Sequence, residues 1–187
     1  MTENKEFTNK KFEKGELDRG DYLECEFIDC DFSKIDLSNF IFNDCIFSGC
    51  NLSNVDCKGT GFKTVAFEDC KLLGIDFSIC NTFLLSLSFK NCNLNFSSFY
   101  SLPIKKTYFE SCSLHEVDFT ETNLEGSKFK NCELNQAIFE NSNLKTVDFT
   151  SSNNYSINLS VNQVTKAKFG RNELDGLLEE FNIIIEN

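Results

Sequence analysis

The chain has no tryptophan and only one proline, one methionine and one histidine among 187 residues. With a single histidine, His115, and no serine or cysteine tied to it by a motif, a nucleophile–base–orienter arrangement has no support. Basic residues are in the minority: 18 Lys and Arg against 29 Asp and Glu leave a net charge of −11 and a pI near 4.6. That balance argues against nonspecific affinity for nucleic acid or for an anionic membrane, both of which reward Lys and Arg. It favours a basic partner surface, or simple solubility. No run approaches the ~18 apolar residues of a membrane span, and Met1 to Lys14 is polar where a signal peptide would be apolar. A cytoplasmic chain with reduced cysteines is the expectation. The sequence has no CxxC pair of the kind that marks a zinc site, no glycine-rich phosphate loop and no regular outward rows of threonine. No metal, cofactor or catalysis is expected.

What is abundant is phenylalanine, at 21 residues, and cysteine, at 10. One aromatic in such excess points to a repeat. Every fifth residue from Phe7 is large and apolar: Phe7, Phe12, Leu17, Tyr22, Phe27, Phe32, Leu37, Phe42, Phe47, Leu52, Cys57, Phe62, Phe67, Leu72 and Phe77. The series fails at Thr82 and resumes two residues out of phase, from Leu84 through Phe89 to Phe149. After a fault at Asn154 it continues at Leu159, Val164 and Phe169. Seventeen of the 21 Phe lie on it. Two residues earlier in each unit sits a smaller set, including Cys25, Cys30, Ile35, Cys45, Cys50, Val55, Cys70, Cys92, Cys112, Val117, Cys132 and Val147. The cysteines there read as small apolar filler. Cys80, at the fault, is the one cysteine expected to be reactive.

A strict period of five fits neither a helix nor a strand. It fits a chain that turns a corner every five residues, pointing one large and one small side chain inward, with four units closing a square. Residues 20 apart must then stack. Phe7, Phe27, Phe47 and Phe67 do so, and a two-residue insertion near 78–84 carries the column on to Phe89, Phe109, Phe129, Phe149 and Phe169. The same correction continues Cys30, Cys50 and Cys70 as Cys92, Cys112 and Cys132. The expected fold is all-β: a right-handed quadrilateral parallel β-helix of about eight coils, roughly 40 Å long, over residues 1–170. Phe40, in a small-residue place, requires local reshaping. The apolar residues 79–87 are expected to fold back, with Phe83 and Leu85 plugging the distorted corner.

From residue 171 the fives stop. Leu174, Leu177, Leu178 and Phe181 recur at helical spacing, predicting a short α-helix that caps the last open coil. Ile183, Ile184 and Ile185 follow as an apolar strand. Exposed apolar residues in such a tail predict a homodimer through residues 171–187.

Just before the large inward residue on one side stand Glu16, Asp36, Asp56, Asp76, Ser98, Asp118, Ile138 and Asn158, with Asp18, Glu121 and Glu140 on the same side. Stacked carboxylates about 5 Å apart repel one another. Asp or Asn at this place can also bond the turn backbone. A partner-binding acidic face and a purely structural column are both open.

Units such as Val117-Asp118-Phe119, Val147-Asp148-Phe149, Ile75-Asp76-Phe77 and Cys92-Asn93-Leu94 give the chain its family likeness: it resembles the pentapeptide-repeat family over residues 5–170. The tail from Phe169 to Ile185 and the stretch Tyr108 to Leu124 are similar to microcin-immunity and quinolone-resistance members. That resemblance implies an acidic rod that mimics duplex DNA on DNA gyrase or topoisomerase IV. An adaptor with an unrelated protein partner is the alternative. Large projecting loops like those of the quinolone-resistance members are not expected, unless 78–88 serves as one.

Overall fold

The structure is a computed structural model that describes residues 1–13 and 15–184. Its strands are short and parallel, and each pairs with the strand one coil away. Nine of them form one sheet: Glu6–Thr8, Glu26–Ile28, Ile46–Ser48, Val65–Glu68, Leu87–Lys90, Tyr108–Glu110, Lys128–Lys130, Asp148–Phe149 and Lys168–Phe169. The register sets Phe7 against Phe27, Phe27 against Phe47, Phe47 against Phe67, then Phe67 against Phe89 and Phe89 against Phe109. A second sheet of four strands, Thr2–Glu3, Asp21–Leu23, Ile41–Asn43 and Gly61–Lys63, occupies the side that contains Tyr22. The remaining two sides are held by single bridges, such as Lys11 to Asp31 to Asn51 and Asp36 to Asp56. The whole is a four-sided parallel β-solenoid of about eight turns. Its sides are named below by their first large inward residue: Phe7, Phe12, Leu17 and Tyr22.

At most corners the backbone is left-handed two residues after the large inward residue. Asn, Asp and Gly tolerate it best, and many corners carry them, as at Asn39 (φ 63°), Asp44 (51°) and Gly59 (68°). Leu84 (59°) and Phe96 (62°) are the large apolar residues in this conformation among the described residues. A left-handed residue with a Cβ costs about 1–2 kcal/mol.

Aromatic stacking fills the interior. The rings on the Phe7 side stack at 4.6 to 5.6 Å, close to the strand spacing, so the pile is unbroken from Phe7 to Phe169. A second pile meets the first edge-on, and it changes side partway along the rod. In the first coils it is Tyr22, Phe42 and Phe62 on the Tyr22 side. From Phe77 it is Phe77, Phe99, Phe119 and Phe139 on the Leu17 side. The handover is the edge contact between Phe62 and Phe77 at 6.1 Å. Where one side holds rings the other holds smaller groups: Leu17, Leu37 and Cys57 first, Ile104, Leu124 and Leu144 later. On either side of the handover a ring on one of these two sides is thus matched by a smaller group on the other, in keeping with close packing.

The small inward place does more than fill space. Its side chain reaches the carbonyl of the large residue in the coil below. Cys50 Sγ bonds Phe27 O at 3.2 Å, Cys70 Sγ bonds Phe47 O at 3.3 Å, and Cys92 Sγ bonds Phe67 O at 3.3 Å. Thr60, Thr122, Ser142 and Ser152 do the same with their hydroxyls at 2.6 to 2.8 Å. The cysteines are thus hydrogen-bonding plugs rather than mere apolar filler. Burial pushes the Cys30 thiol up, and the Cys45 thiol up to about 11, so both stay protonated. Ser97 is an exception: its buried hydroxyl finds no partner.

Gly61 bridges Asn81, 20 residues on, whereas Val65 pairs with Leu87, 22 residues on. The two extra residues therefore lie between Asn81 and Leu87. Cys80 precedes them in a regular inward place, buried and bonded to Cys57 O at 3.4 Å. The reactivity expected of it does not follow. Leu84, counted as inward, is 64% exposed, and Phe83 is 66% exposed rather than folded back. Leu85 does pack on the core, and Leu87 takes the small inward place of the next unit, in register with Val65. Phe40 is buried and stacks on Tyr22 and Phe42, filling space over the coil of Gly20. At the later fault Asn154 is exposed, and Tyr155 turns in between Phe149 and Phe169.

The helical cap is present but winds as a 3-10 helix, not as the α-helix expected. It runs Arg171–Leu177 with a non-helical residue at Glu173, then Glu179–Phe181. Gly176 sits so close to Tyr155 that an added Cβ would collide with its carbonyl, and the Gly176 carbonyl accepts from Ile157 N at 2.9 Å. The non-helical Glu173 and the break at Leu178 divide the stretch into pieces too short for a run of i→i−4 bonds, and the tighter turn results.

Candidate partner-binding face

The outward residues of the Leu17 side follow from the corner chemistry. In each coil the residue before the large inward one can accept a hydrogen bond from the backbone two positions on, bracing the turn. Asp36 accepts from Ser38 N at 2.8 Å, Asp56 from Lys58 N at 3.0 Å, Asp76 from Ser78 N at 3.0 Å and Asp118 from Thr120 N at 2.9 Å. Asn158 does so neutrally, from Ser160 N at 2.7 Å. On the Phe12 side Asp31, Asn51 and Asn93 make the same contact. The bond thus explains a short polar acceptor, but asparagine would satisfy it equally well. The corner bonds alone do not account for four Asp on this side.

Bridges pair Asp36 with Asp56, Asp76 with Ser98, Ser98 with Asp118 and Asp118 with Ile138, about 4.8 Å per step. Asp36 and Asp118 are half-buried. Glu16, Asp18, Asp56, Asp76, Glu121 and Glu140 are exposed. Glu16 turns back to accept from Glu13 N. Arg19 Nη2 pairs with Asp36 at 2.9 Å, with both groups largely in solvent, so it trims the charge without securing the fold. Glu121 lies at the corner, where Tyr100 Oη donates to it at 3.1 Å. That hydrogen bond holds the Tyr100 phenol above its usual range. The face therefore carries one carboxylate in most coils, interrupted at Ser98 and ended by Ile138. Sequence reasoning missed Tyr100 and Ile79, which stand exposed beside this column; the signal for Tyr100 was a large side chain in an outward column whose other members, from Asp18 and Ser38 to Glu140 and Ser160, are polar or charged.

The tail residues separate. Leu177 is buried in the chain's own core and is not available to a second copy. Leu178 is half-buried. Leu174 (42%), Phe181 (58%), Ile183 (55%) and Ile184 (89%) are exposed, and Ile185 lies outside the described residues. Among the described residues no group of three or more His, Cys, Asp or Glu is placed to hold a metal ion, and no helix is long and apolar enough to cross a membrane.

A filled four-sided solenoid built from five-residue units is a defined class of protein, and the comparisons agree with it. The family model described as "Pentapeptide repeat region" matches residues 20–99, 83–159 and 102–178, so the chain belongs to the pentapeptide-repeat family. Among solved structures it is similar to a trypsin-treated variant of QnrB1, a plasmid-mediated fluoroquinolone resistance protein. The TM-score is 0.66 at 19% identity, covering 99% of both chains. A second trypsin-treated variant gives 0.66 at 18% identity, covering 97% of this chain and 99% of that one. Full-length QnrB1 gives 0.57 at 19%, with the same coverage. At such identities the likeness is one of fold. No curated protein matches the chain in sequence.

Proposed function

We propose that this chain is a non-catalytic, cytoplasmic interaction protein whose Leu17 side binds a type II topoisomerase, DNA gyrase or topoisomerase IV, in the place of DNA. In this reading it protects the enzyme from a quinolone or from a microcin-type toxin. The observation that carries the reading is the run of Asp36, Asp56, Asp76 and Asp118, where the corner asks only for a neutral acceptor. Duplex DNA bears one charge per ~1.7 Å of axis, so one carboxylate per coil is sparser than DNA. Asp18, Glu121 and Glu140 add to it. The fold it shares over nearly the whole chain with a fluoroquinolone resistance protein is in keeping with protection from a quinolone. Exposed Leu174, Phe181, Ile183 and Ile184 support a two-fold dimer through the tail, which would double the rod. A sedimentation mass equal to one chain would end the dimer.

The test is gyrase supercoiling with titrated protein, with and without ciprofloxacin. Protection or inhibition that weakens steeply with salt is expected of a carboxylate surface. Absence of binding, inhibition and protection would dispose of the reading. Retention of binding by a chain with Asp56, Asp76 and Asp118 all changed to Asn would favour an adaptor with a different contact.

A further inference from the structure

The Leu17 side is not uniform along its length. Its outward residues from Glu16 to Ser78 are charged, polar or glycine. Beyond them, large apolar side chains stand among the carboxylates: Ile79 at 42% exposure, Tyr100 at 44% and Ile138 at 45%. Ile138 takes the place that Asp118 holds one coil earlier. It is not buried, and it cannot brace its corner as Asp118 and Asn158 brace theirs. Tyr100 stands in the column of Ser78 and Thr120, its ring oriented by the bond from its hydroxyl to Glu121. Core packing accounts for neither residue. From Ile79 to Ile138 the patch covers three coil steps, about 14 Å, the size of a compact binding hot spot.

We propose that the C-terminal half of this side is an anchored protein-docking site. Ile79, Tyr100 and Ile138 enter an apolar cleft on the partner whose rim carries Arg or Lys opposite Asp118, Glu121 and Glu140. The inference rests on the reading of this side as the partner-binding face and deepens it: the carboxylates orient the encounter and the apolar groups hold the complex. Charge complementarity selects the occupant. The three carboxylates call for a cationic rim and repel nucleic acid, while the three anchors call for an apolar floor that phosphate-binding grooves do not need.

The two modes of binding make opposite forecasts for one substitution. Ile138→Asp extends the carboxylate column by one coil, so a surface that acts through charge alone binds more tightly. An anchored surface loses a buried contact and binds less tightly. The probe is purified DNA gyrase in equilibrium binding at two salt concentrations, with wild type, Ile138→Asp and Tyr100→Ser. Each replacement is a residue this chain already uses in the same column, and Ile138→Asp supplies the missing corner acceptor, so unchanged or raised melting temperatures verify folding. Each variant is expected to weaken gyrase binding about thirtyfold, the lower end of a hot-spot loss. Wild-type binding with Ile138→Asp equal or tighter would overturn the anchored site and leave the acidic-face reading standing. A wild type that binds gyrase at neither salt concentration would overturn that reading and this inference with it.

Discussion

The coils before residue 82 and those after residue 87 have the same outline and different interiors. In the first half the second aromatic pile runs up the Tyr22 side and Leu or Cys fills the Leu17 side. In the second half the two exchange. The four-stranded sheet belongs to the first half only, whereas the nine-stranded sheet runs through both. The insertion and the exchange fall at the same coil. The difference teaches that one continuous pile, Phe7 to Phe169, suffices to keep register. With it intact, the other sides can swap large for small and absorb two extra residues at a corner.

The largest expected effect tests that continuous pile. Phe109, fully buried and stacked at 4.6 Å on Phe129, should cost about 3–5 kcal/mol when changed to Ala. Phe7→Ala, at the half-buried open end, should cost clearly less. Denaturant midpoints compare the two. Equal costs would mean that the pile has no interior.

Tyr22 opens the second pile in the first half only. Burial, with the Asp18 carboxylate second, raises its phenol from 10.0 to about 12, and its hydroxyl donates to Asp18 O at 2.7 Å. Because the folded value lies above the unfolded one, this stabilisation is complete below pH 10 and is lost as pH rises through about 12. The loss is at most roughly 2–3 kcal/mol. Melting curves across this range should fall for wild type and flatten for Tyr22→Phe.

The exchange of sides is open to a double-mutant cycle. Leu124→Phe places a ring on the Tyr22 side of the second half, where Phe119 already fills the space, and should cost about 1–3 kcal/mol. Phe119→Leu with Leu124→Phe restores the pattern of the first half and should cost less than the two single changes added together. Strict additivity would show that the two sides do not share volume.

A smaller effect, about 1 kcal/mol, is expected of Thr122→Val, which removes the 2.8 Å bond to Phe99 O. Cys70→Val should cost less, since a thiol is a weaker donor. Smallest is Arg19→Ala: its exposed pair with Asp36 should shift stability by no more than about 0.5 kcal/mol.

The repeat itself was plain in the sequence. Phe47, Phe67, Phe89 and Phe109, aligned by counting fives and allowing one two-residue slip, do lie over one another. The acidic column was plain for the same reason, because a fixed period assigns every residue to a side. What counting missed depended on where the slip falls. Leu84 was placed inward because the series resumed there on paper, but the chain packs Leu85 against the core and leaves Leu84 and Phe83 outside. Tyr100 stands out in its polar column, but that its ring is held on the acidic side by the hydroxyl bond to Glu121 is a contact between coils.

By itself the five-residue period determined the solenoid, its four sides and the residues of its core, because burial of one large and one small side chain per unit is a local rule repeated along the chain. Only the tertiary structure decided which neighbour each group meets one coil away. The thiol and hydroxyl bonds to the carbonyls below, the 3-10 winding of the docked cap and the apolar groups standing beside Asp118 all arise between coils. Contacts between residues 20 or more apart depend on geometry that the spacing of letters does not contain.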